Sequence, residues 1–381
     1  MEKLTIQQQL AIIKEVESQY SKFLEEDFDN KVFLKCHDNF AKTLHIQSIQ
    51  IFNQNEPRGG GKIKFSIAIP TYKRLDSLRR SILSAINQDF KEYYEIIVVE
   101  NVDDFTIVTP TQTMLETEFR GKLTYYKNES NLGMFGNWNR CLTLAKGEWV
   151  CLLHSDDEIL PNYLSEMKHM INHPQYSKAA LIGCLENISP SKPITTIIRD
   201  NLIDLILKNS DVDDCRYQGI IKQIPPNAIL HHKKRCINLG GYNQDEYPSG
   251  DTLFHTRAFL YEKIYIYKKL LQNKDIEISE GLRPKTLLYY FFISLPLFQL
   301  FQPKFYGRIL SYRRLISLHN ALSNYPILHQ YTKKIILQKK LKPKLPLFLS
   351  TFISAYYLFK TLILSFCSKL KTLLGFYHPK N

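Results

Sequence analysis

Between Lys64 and Leu153 the chain alternates short apolar runs with helical patterns, and three of its four apolar runs stop at a polar cluster. Phe65-Ser66-Ile67-Ala68-Ile69 reads as a strand ended by Pro70. The stretch after it carries Leu75, Leu78, Ile82 and Ala85 on one helical side. Tyr94-Glu95-Ile96-Ile97-Val98-Val99 is a second strand, and Leu123-Thr124-Tyr125-Tyr126 is a third that leads into Asn131-Leu132-Gly133. A helix over about 137–145 ends at Gly147, and Trp149-Val150-Cys151-Leu152-Leu153 is the fourth strand. Runs this short, alternating with helices, predict an α/β fold: a mostly parallel sheet with right-handed crossovers, flanked by helices. Ligands of such sheets bind at the carboxyl ends of the strands. Thr71–Arg74, Glu100–Asp104 and His154–Asp157 fall at those ends.

The flanks differ from this body. Leu10, Ile13, Val16, Tyr20 and Phe23 recur at spacings of three and four, so residues 5–55 read as amphipathic helices. Pro57-Arg58-Gly59-Gly60-Gly61 cannot hold a helix and marks a boundary. The expected organisation is a helical extension over 1–61, an α/β domain over 62–280 and a basic tail of apolar helices over 281–381. The net charge is +13, yet after Glu280 there are 16 Lys and Arg and no Asp or Glu, so the first 280 residues are mildly acidic.

Two tail segments are apolar enough to bear on membranes. Residues 286–303 carry no charge but are interrupted by Pro296, Gln299 and Gln302, and 345–367 carry only Lys360. Ser350, Ser354, Tyr357, Thr361, Ser365, Ser368 and Thr372 trace one polar stripe, which suits a helix lying in the bilayer interface. Each cation near an anionic surface adds up to about 1 kcal/mol. A membrane span, a two-span hairpin and a module packed on the catalytic body are the other readings. Nucleic acid fits least, because the aromatics cluster apart from the cations. Seven scattered cysteines without CxxC spacing exclude a disulfide framework or zinc knuckle, and the N-terminus lacks a secretory pattern. The expected location is the cytoplasmic face of the cell membrane; the oligomeric state is not legible.

His154-Ser155-Asp156-Asp157 follows a buried strand directly. Adjacent carboxylates in a confined place repel each other unless a cation neutralises them. Mg²⁺ or Mn²⁺ would fit, since a hard ion takes few protein oxygens and completes its shell with water and phosphate. The alternative is that these residues cap a helix beginning near Pro161. Thr71 likewise could be a helix cap. The chain contains neither a dinucleotide fingerprint nor a P-loop. His231, His232 and His255 match no common metal spacing.

Taken together, the segments over about 64–260 resemble the family-2 glycosyltransferases, which have the GT-A fold. Ser66–Arg74 resembles the opening strand and nucleoside loop, and Glu95–Asn101 the second strand with its terminal acid. Asn131-Leu132-Gly133, Asn139 and Ala145–Val150 look like the middle motif. Ser155-Asp156-Asp157 looks like the metal-binding DxD variant, and Gly240-Gly241-Tyr242-Asn243 with Asp251 like the acceptor-side motif.

The resemblance implies inverting transfer of a sugar from a nucleoside-diphosphate sugar to a hydroxyl of a saccharide acceptor, lipid-linked given the tail, in polysaccharide or lipopolysaccharide synthesis. It implies donor contacts at Pro70, Thr71, Tyr72, Arg74, Glu100, Asn101, Asn131, Gly133, Asn139 and Asp156, and a metal on Asp156 and Asp157. Asp251 is the implied base, with a helix cap as its alternative role and Glu246 as its rival. His255 is a candidate acceptor or phosphate contact. Two departures stand out: Glu100-Asn101 where the family has Asp, and His154 in place of the first carboxylate. If these mark a decayed site, the chain would be a silent membrane-bound assembly subunit. A nucleotidyltransferase, releasing pyrophosphate, is the third reading.

Overall fold

The computed structural model describes residues 4–20, 34–55, 63–189, 212–214, 227–275, 283–301 and 315–338. The chain divides into two compact units, 1–191 with 210–333 and 192–209 with 334–381; of the second, only 334–338 are among the described residues.

In the first unit the described strands form one sheet. They are β1 (Ser48–Phe52), β2 (Phe65–Thr71), β3 (Glu95–Glu100), β4 (Thr124–Asn128), β5 (Trp149–Leu152), β6 (Glu158–Ile159), β7 (Ala179–Ser189), β8 (Val212–Asp214), β9 (Ile229–His232) and β10 (Lys263–Asp275). Their order is β1-β4-β3-β2-β5-β9-β7-β10-β6, with β8 also paired to β10. The four strands expected from the sequence form its parallel centre, β4-β3-β2-β5. The sheet as a whole is mixed, because β9 runs antiparallel to both β5 and β7, and β1 antiparallel to β4.

Side chains alternate between the faces of a strand, so a strand covered on both sides must be apolar throughout. Ile67, Ile69, Ile96 and Val98 face one core with Leu78 and Ile82 of α2 (Asp76–Ile86), Met114 and Leu115 of α3 (Pro110–Glu118), and Leu164 and Met167 of α5 (Tyr163–Asn172). Ala68, Ile97 and Val99 face the other. There they meet Phe135, Trp138 and Leu142 of α4 (Gly133–Leu144), Cys236 of α6 (Lys233–Asn238), and Phe254 and Ala258 of α7 (Gly250–Tyr261). Pro70 lies inside β2, paired with Val99, instead of ending it. The β5 ladder stops at Ala68, so no N–H is required of Pro70 on that side.

The N-terminal extension is not wholly helical. Ser48-Ile49-Gln50-Ile51-Phe52 alternates polar and apolar residues at period two and adds a strand to the sheet edge. In α1 (Ile6–Tyr20) the buried stripe is Gln9, Val16 and Tyr20, and Leu10 is exposed. Gln9 holds this place because its Oε1 accepts the Ile327 N–H at the start of α9 (Pro326–Gln338); Phe23 lies outside the described residues.

Most of the uncharged 286–303 run is taken up by α8 (Pro284–Phe301), where Leu287, Leu288, Tyr289, Phe291 and Phe292 are buried in protein. The Tyr289 ring meets Tyr20 edge-on at 5.2 Å, and Phe292 stacks on Tyr331 at 6.2 Å. Lys285 pairs with Glu15 at 2.6 Å, and the Tyr331 hydroxyl donates to Glu17. The first helix and the start of the basic tail therefore pack on each other. Among the described residues no helix is long and apolar enough to cross a membrane. The 345–367 segment and the boundaries at 61 and 280 lie outside the described residues.

Arg140 of α4 ties the 43–48 segment down, donating to Ser48 Oγ at 2.8 Å and to the carbonyls of Thr43 and Ile46 at 2.8 and 2.7 Å. Arg140→Met removes charge-assisted bonds to an edge strand. Amide exchange at Ile49 and Ile51 is expected to speed up about tenfold while Ile67 and Val98 stay protected. Unchanged protection in β1 would contradict this.

Candidate functional site

Strand β5 delivers its polar continuation to one place. The Asp157 N–H donates to the His154 carbonyl at 3.2 Å, closing a turn. Ser81 Oγ of α2 donates to the Asp157 carbonyl at 2.6 Å and lies 3.3 Å from that of His154. From the other side the His154 N–H donates to Asn227 Oδ1 at 3.2 Å. The His154 ring stacks on Trp138 at 4.7 Å. The turn is thus gripped at its backbone and at one side chain before any ligand is considered.

Asp157 is 3% exposed, and its Oδ2 lies 3.7 Å from His154 Nδ1. Asp156 Oδ2 is 3.2 Å from Arg74 Nη1. Neither aspartate caps the next helix, which starts at Tyr163 with Asn162 before it. One donor atom from each of His154, Asp156 and Asp157 lies within 4.8 Å of the others. Atoms bound to one ion at about 2.1 Å sit roughly 3–4 Å apart, so a small closure would seat a divalent cation. Two carboxylates and a neutral imidazole fit such an ion. Burial, with the charges of Lys274 and Arg74, lowers the His154 pKa to about 3 and keeps its nitrogen lone pair free of a proton.

The β2 and β3 ends contribute a second cluster. The Tyr72 hydroxyl donates to Asp103 at 2.8 Å, and Lys73, at φ +52°, donates to it at 2.6 Å. These bonds, that of Lys73 first, hold the Asp103 pKa below the usual carboxylate range. Thr71 is buried, and its Oγ1 has no partner among the described residues. Pro70, Thr71, Tyr72, Arg74 and Asp156 therefore gather at one end of the parallel strands.

Other expected donor contacts are engaged by the protein itself. The Glu100 carboxylate accepts from the hydroxyls of Tyr125 and Thr109, and Thr109 caps α3. Burial pushes the Glu100 pKa up. Asn101 donates to the Gly133 carbonyl at 3.0 Å and accepts from Asn128 and from the Leu132 N–H. Asn131 Oδ1 accepts the Gly133 N–H at 2.9 Å. Gly133 has φ +71°, and a Cβ there would strike the Gln244 side chain that caps α4. Asn139 clasps Tyr242 by both its N–H and its carbonyl, at 2.8 and 2.7 Å. Gly241, at φ +69°, leaves room for that clasp, since a Cβ would lie 2.5 Å from Asn139 Oδ1. Glu100, Asn101, Gly133 and Asn139 thus shape the loops around the cleft.

The loop so held presents α7. Asp251 lies in its first turn, 6% exposed, and its Oδ1 accepts the Thr252 N–H at 2.7 Å. A helix N-terminus favours the ionised carboxylate. His255 is one turn on, buried, with its Nε2 unpartnered among the described residues. Tyr242, 6.2 Å from His255 and 5.1 Å from Trp138 between ring centroids, stands between α7 and the acidic turn. Both Glu246 oxygens, those of the rival base, accept from the buried Arg257 guanidinium at 2.8 and 2.7 Å. His231 bonds the Ile229 carbonyl and the Tyr242 hydroxyl, and His232 faces Glu148; neither joins the acidic turn. Trp138, Ser81 and Asn227, which hold the His154–Asp157 turn, are the neighbours the sequence did not reveal.

Burial also lowers the pKa of His231 to about 4 and of His255 to about 3. Below pH 6.5 the unfolded chain protonates these imidazoles while the fold keeps them neutral, so acid favours unfolding. Each contributes a slope of about 1.4 kcal/mol per pH unit. In urea unfolding between pH 5 and 6, His231→Gln should flatten the rise of stability with pH by about that amount; an unchanged slope would contradict it.

The family described as Glycosyl transferase family 2 matches residues 66–234, from β2 through the acidic turn into α6. Over 208 residues the chain is 36% identical to the GalNAc(5)-diNAcBac-PP-undecaprenol beta-1,3-glucosyltransferase of Campylobacter jejuni, covering 54% of this chain and 62% of that protein. It is 30% identical over 209 residues to protein MT1568 of Mycobacterium tuberculosis, covering 51% and 61%. The chain thus matches about three fifths of the length of these relatives. The crystal structure of S. aureus TarS 1–349 superposes with a TM-score of 0.48 at 15% identity, covering 68% of this chain and 73% of that one. Residues 66–234, which hold the β2 loop and the His154–Asp157 turn, thus form a glycosyl transferase family 2 domain.

Proposed function

We propose that the protein transfers a sugar, with inversion, from a nucleoside-diphosphate sugar to a hydroxyl of a lipid-linked saccharide at the cytoplasmic face of a membrane. The observation that carries this is the pre-held turn His154–Asp157, with Arg74 against it, at the carboxyl end of β5 inside the family match. Support for the acceptor class comes from the relative whose name specifies a PP-undecaprenol-linked acceptor, and from the 16 cations of the tail.

In this reading Tyr72, Thr71 and Asp103 line the nucleoside end of the donor, and Arg74 pairs with its diphosphate. Asp156 and Asp157 would hold Mg²⁺ or Mn²⁺, which would neutralise charge developing on the leaving diphosphate. Asp251 accepts the proton of the acceptor hydroxyl as that oxygen bonds the anomeric carbon. The carbon–oxygen bond to the diphosphate breaks on the opposite side, and the proton stays on Asp251. Trp138 and Tyr242 keep water from the floor of the cleft, while His255 offers its buried nitrogen to an acceptor hydroxyl.

The test is nucleoside diphosphate release by the full chain with Mn²⁺, a panel of nucleotide sugars and an undecaprenyl-diphosphate-linked saccharide. Asp251→Asn should lower kcat about 10²–10⁴-fold with donor binding retained. Wild-type turnover in that variant would contradict the role of Asp251. No release with any donor, and no nucleotide-induced rise in Tm, would favour the silent assembly subunit; release of pyrophosphate would favour a nucleotidyltransferase.

A further inference from the structure

We propose that His154 is itself a ligand of the bound cation, and that its nitrogen tilts the site towards ions that accept imidazole readily, such as Co²⁺, over Mg²⁺. This rests on the cation assignment of the preceding section.

The histidines nearest the site differ: His231 is fully buried, whereas the His154 side chain is 18% exposed. His231 uses both ring nitrogens, one on the Ile229 carbonyl at 2.9 Å and one on the Tyr242 hydroxyl at 2.7 Å. That is how a structural imidazole inside a protein is ordinarily satisfied. His154 is different. Its Nδ1 faces the Asp157 carboxylate at 3.7 Å, and its Nε2 is buried with no partner among the described residues. The nitrogen that faces the acidic turn is Nδ1, which at 3.7 Å is too far for a good hydrogen bond to Asp157 and close enough to share an ion with it.

The ring is also fixed in advance. It is stacked on Trp138, and its backbone is held from both sides by Ser81 and Asn227. A ligand locked by its surroundings binds without the cost of ordering a flexible side chain. Its distance from Asp157 Oδ2 falls within the spacing of two atoms sharing one ion. Arg74 meanwhile draws Asp156 aside at 3.2 Å and offsets one of the two negative charges. What is left for an ion is one nearly buried carboxylate, one shared carboxylate and one nitrogen. Mg²⁺ prefers oxygen and demands near-octahedral geometry, whereas Co²⁺ binds nitrogen more readily and Mn²⁺ is less exacting.

Pulsed electron paramagnetic resonance on the full-length protein loaded with Mn²⁺ alone reads the ligand directly. Nitrogen-14 modulation is expected in wild type and should be absent in His154→Asp and His154→Gln, with circular dichroism confirming that both fold. In Mg²⁺ competition against Co²⁺, followed by cobalt absorption, His154→Asp should shift the preference at least about tenfold towards Mg²⁺. Persistent nitrogen modulation in these variants, or an unchanged Co²⁺/Mg²⁺ ratio, would overturn the proposal. Asp157→Asn separates the two layers. If it loses Mn²⁺ while the His154 variants behave as wild type, the cation site stands and His154 is no ligand. If it binds Mn²⁺ as wild type does, or if wild type binds none, the cation assignment falls as well.

Discussion

Asp157 is almost wholly buried and directly follows a second aspartate, in the turn after a fully buried strand. Charges taken out of water in this way are costly unless opposite charge or hydrogen bonds meet them. Within the protein, Arg74 reaches Asp156 and the neutral His154 faces Asp157. Two acids, one guanidinium and one imidazole thus meet in a single turn. Much of the rest of the unit can be understood as scaffolding for that turn.

The scaffolding is mostly amide and backbone chemistry. Asn101, Asn128 and Asn137 form a buried chain of hydrogen bonds linking β3, β4 and α4. Asn139 then passes the position of α4 on to the Tyr242 loop. Tyr242 is pressed between Phe135, Trp138 and Phe254, and the loop it belongs to leads into α7 and Asp251. Each loop around the cleft is therefore set by side chains fully occupied in holding backbone, which is how a site keeps its geometry without a ligand. Glu246, paired with Arg257, has the same role beside α7.

How much of this was legible in the sequence follows from where the information lies. The strands β2 to β5 are apolar on both faces and separated by helices, so local pattern alone located them, and with them the polar ends that gather at the site. β7, β9 and β10 were not legible, because β9 pairs with β5 across a long stretch of chain and reverses the strand direction. β10 begins Lys263-Ile264-Tyr265-Ile266-Tyr267, a strand-like run whose partner, β7, is some eighty residues upstream. Polar residues at strand ends were the harder case. Tyr72 and Asn101 look alike as candidate contacts, yet one hydroxyl reaches an exposed aspartate and the other amide is consumed by the Leu132–Gly133 backbone. Sequence reports that a polar group is present, not which way its lone pairs point. His154 looked like a lost carboxylate because only acidic residues were expected there; its stacking on Trp138 depends on two segments brought together by folding.

The basic tail begins as part of the fold, with α8 packed against α1. The central claim concerns the turn after β5. Crystals soaked with Mn²⁺ and a nucleoside diphosphate, measured at the manganese absorption edge, test it most directly. The account predicts one strong anomalous peak within bonding distance of Asp156, Asp157 and the diphosphate oxygens. Nucleotide bound in the cleft with no ion at that turn, or an ion seated elsewhere, would contradict it.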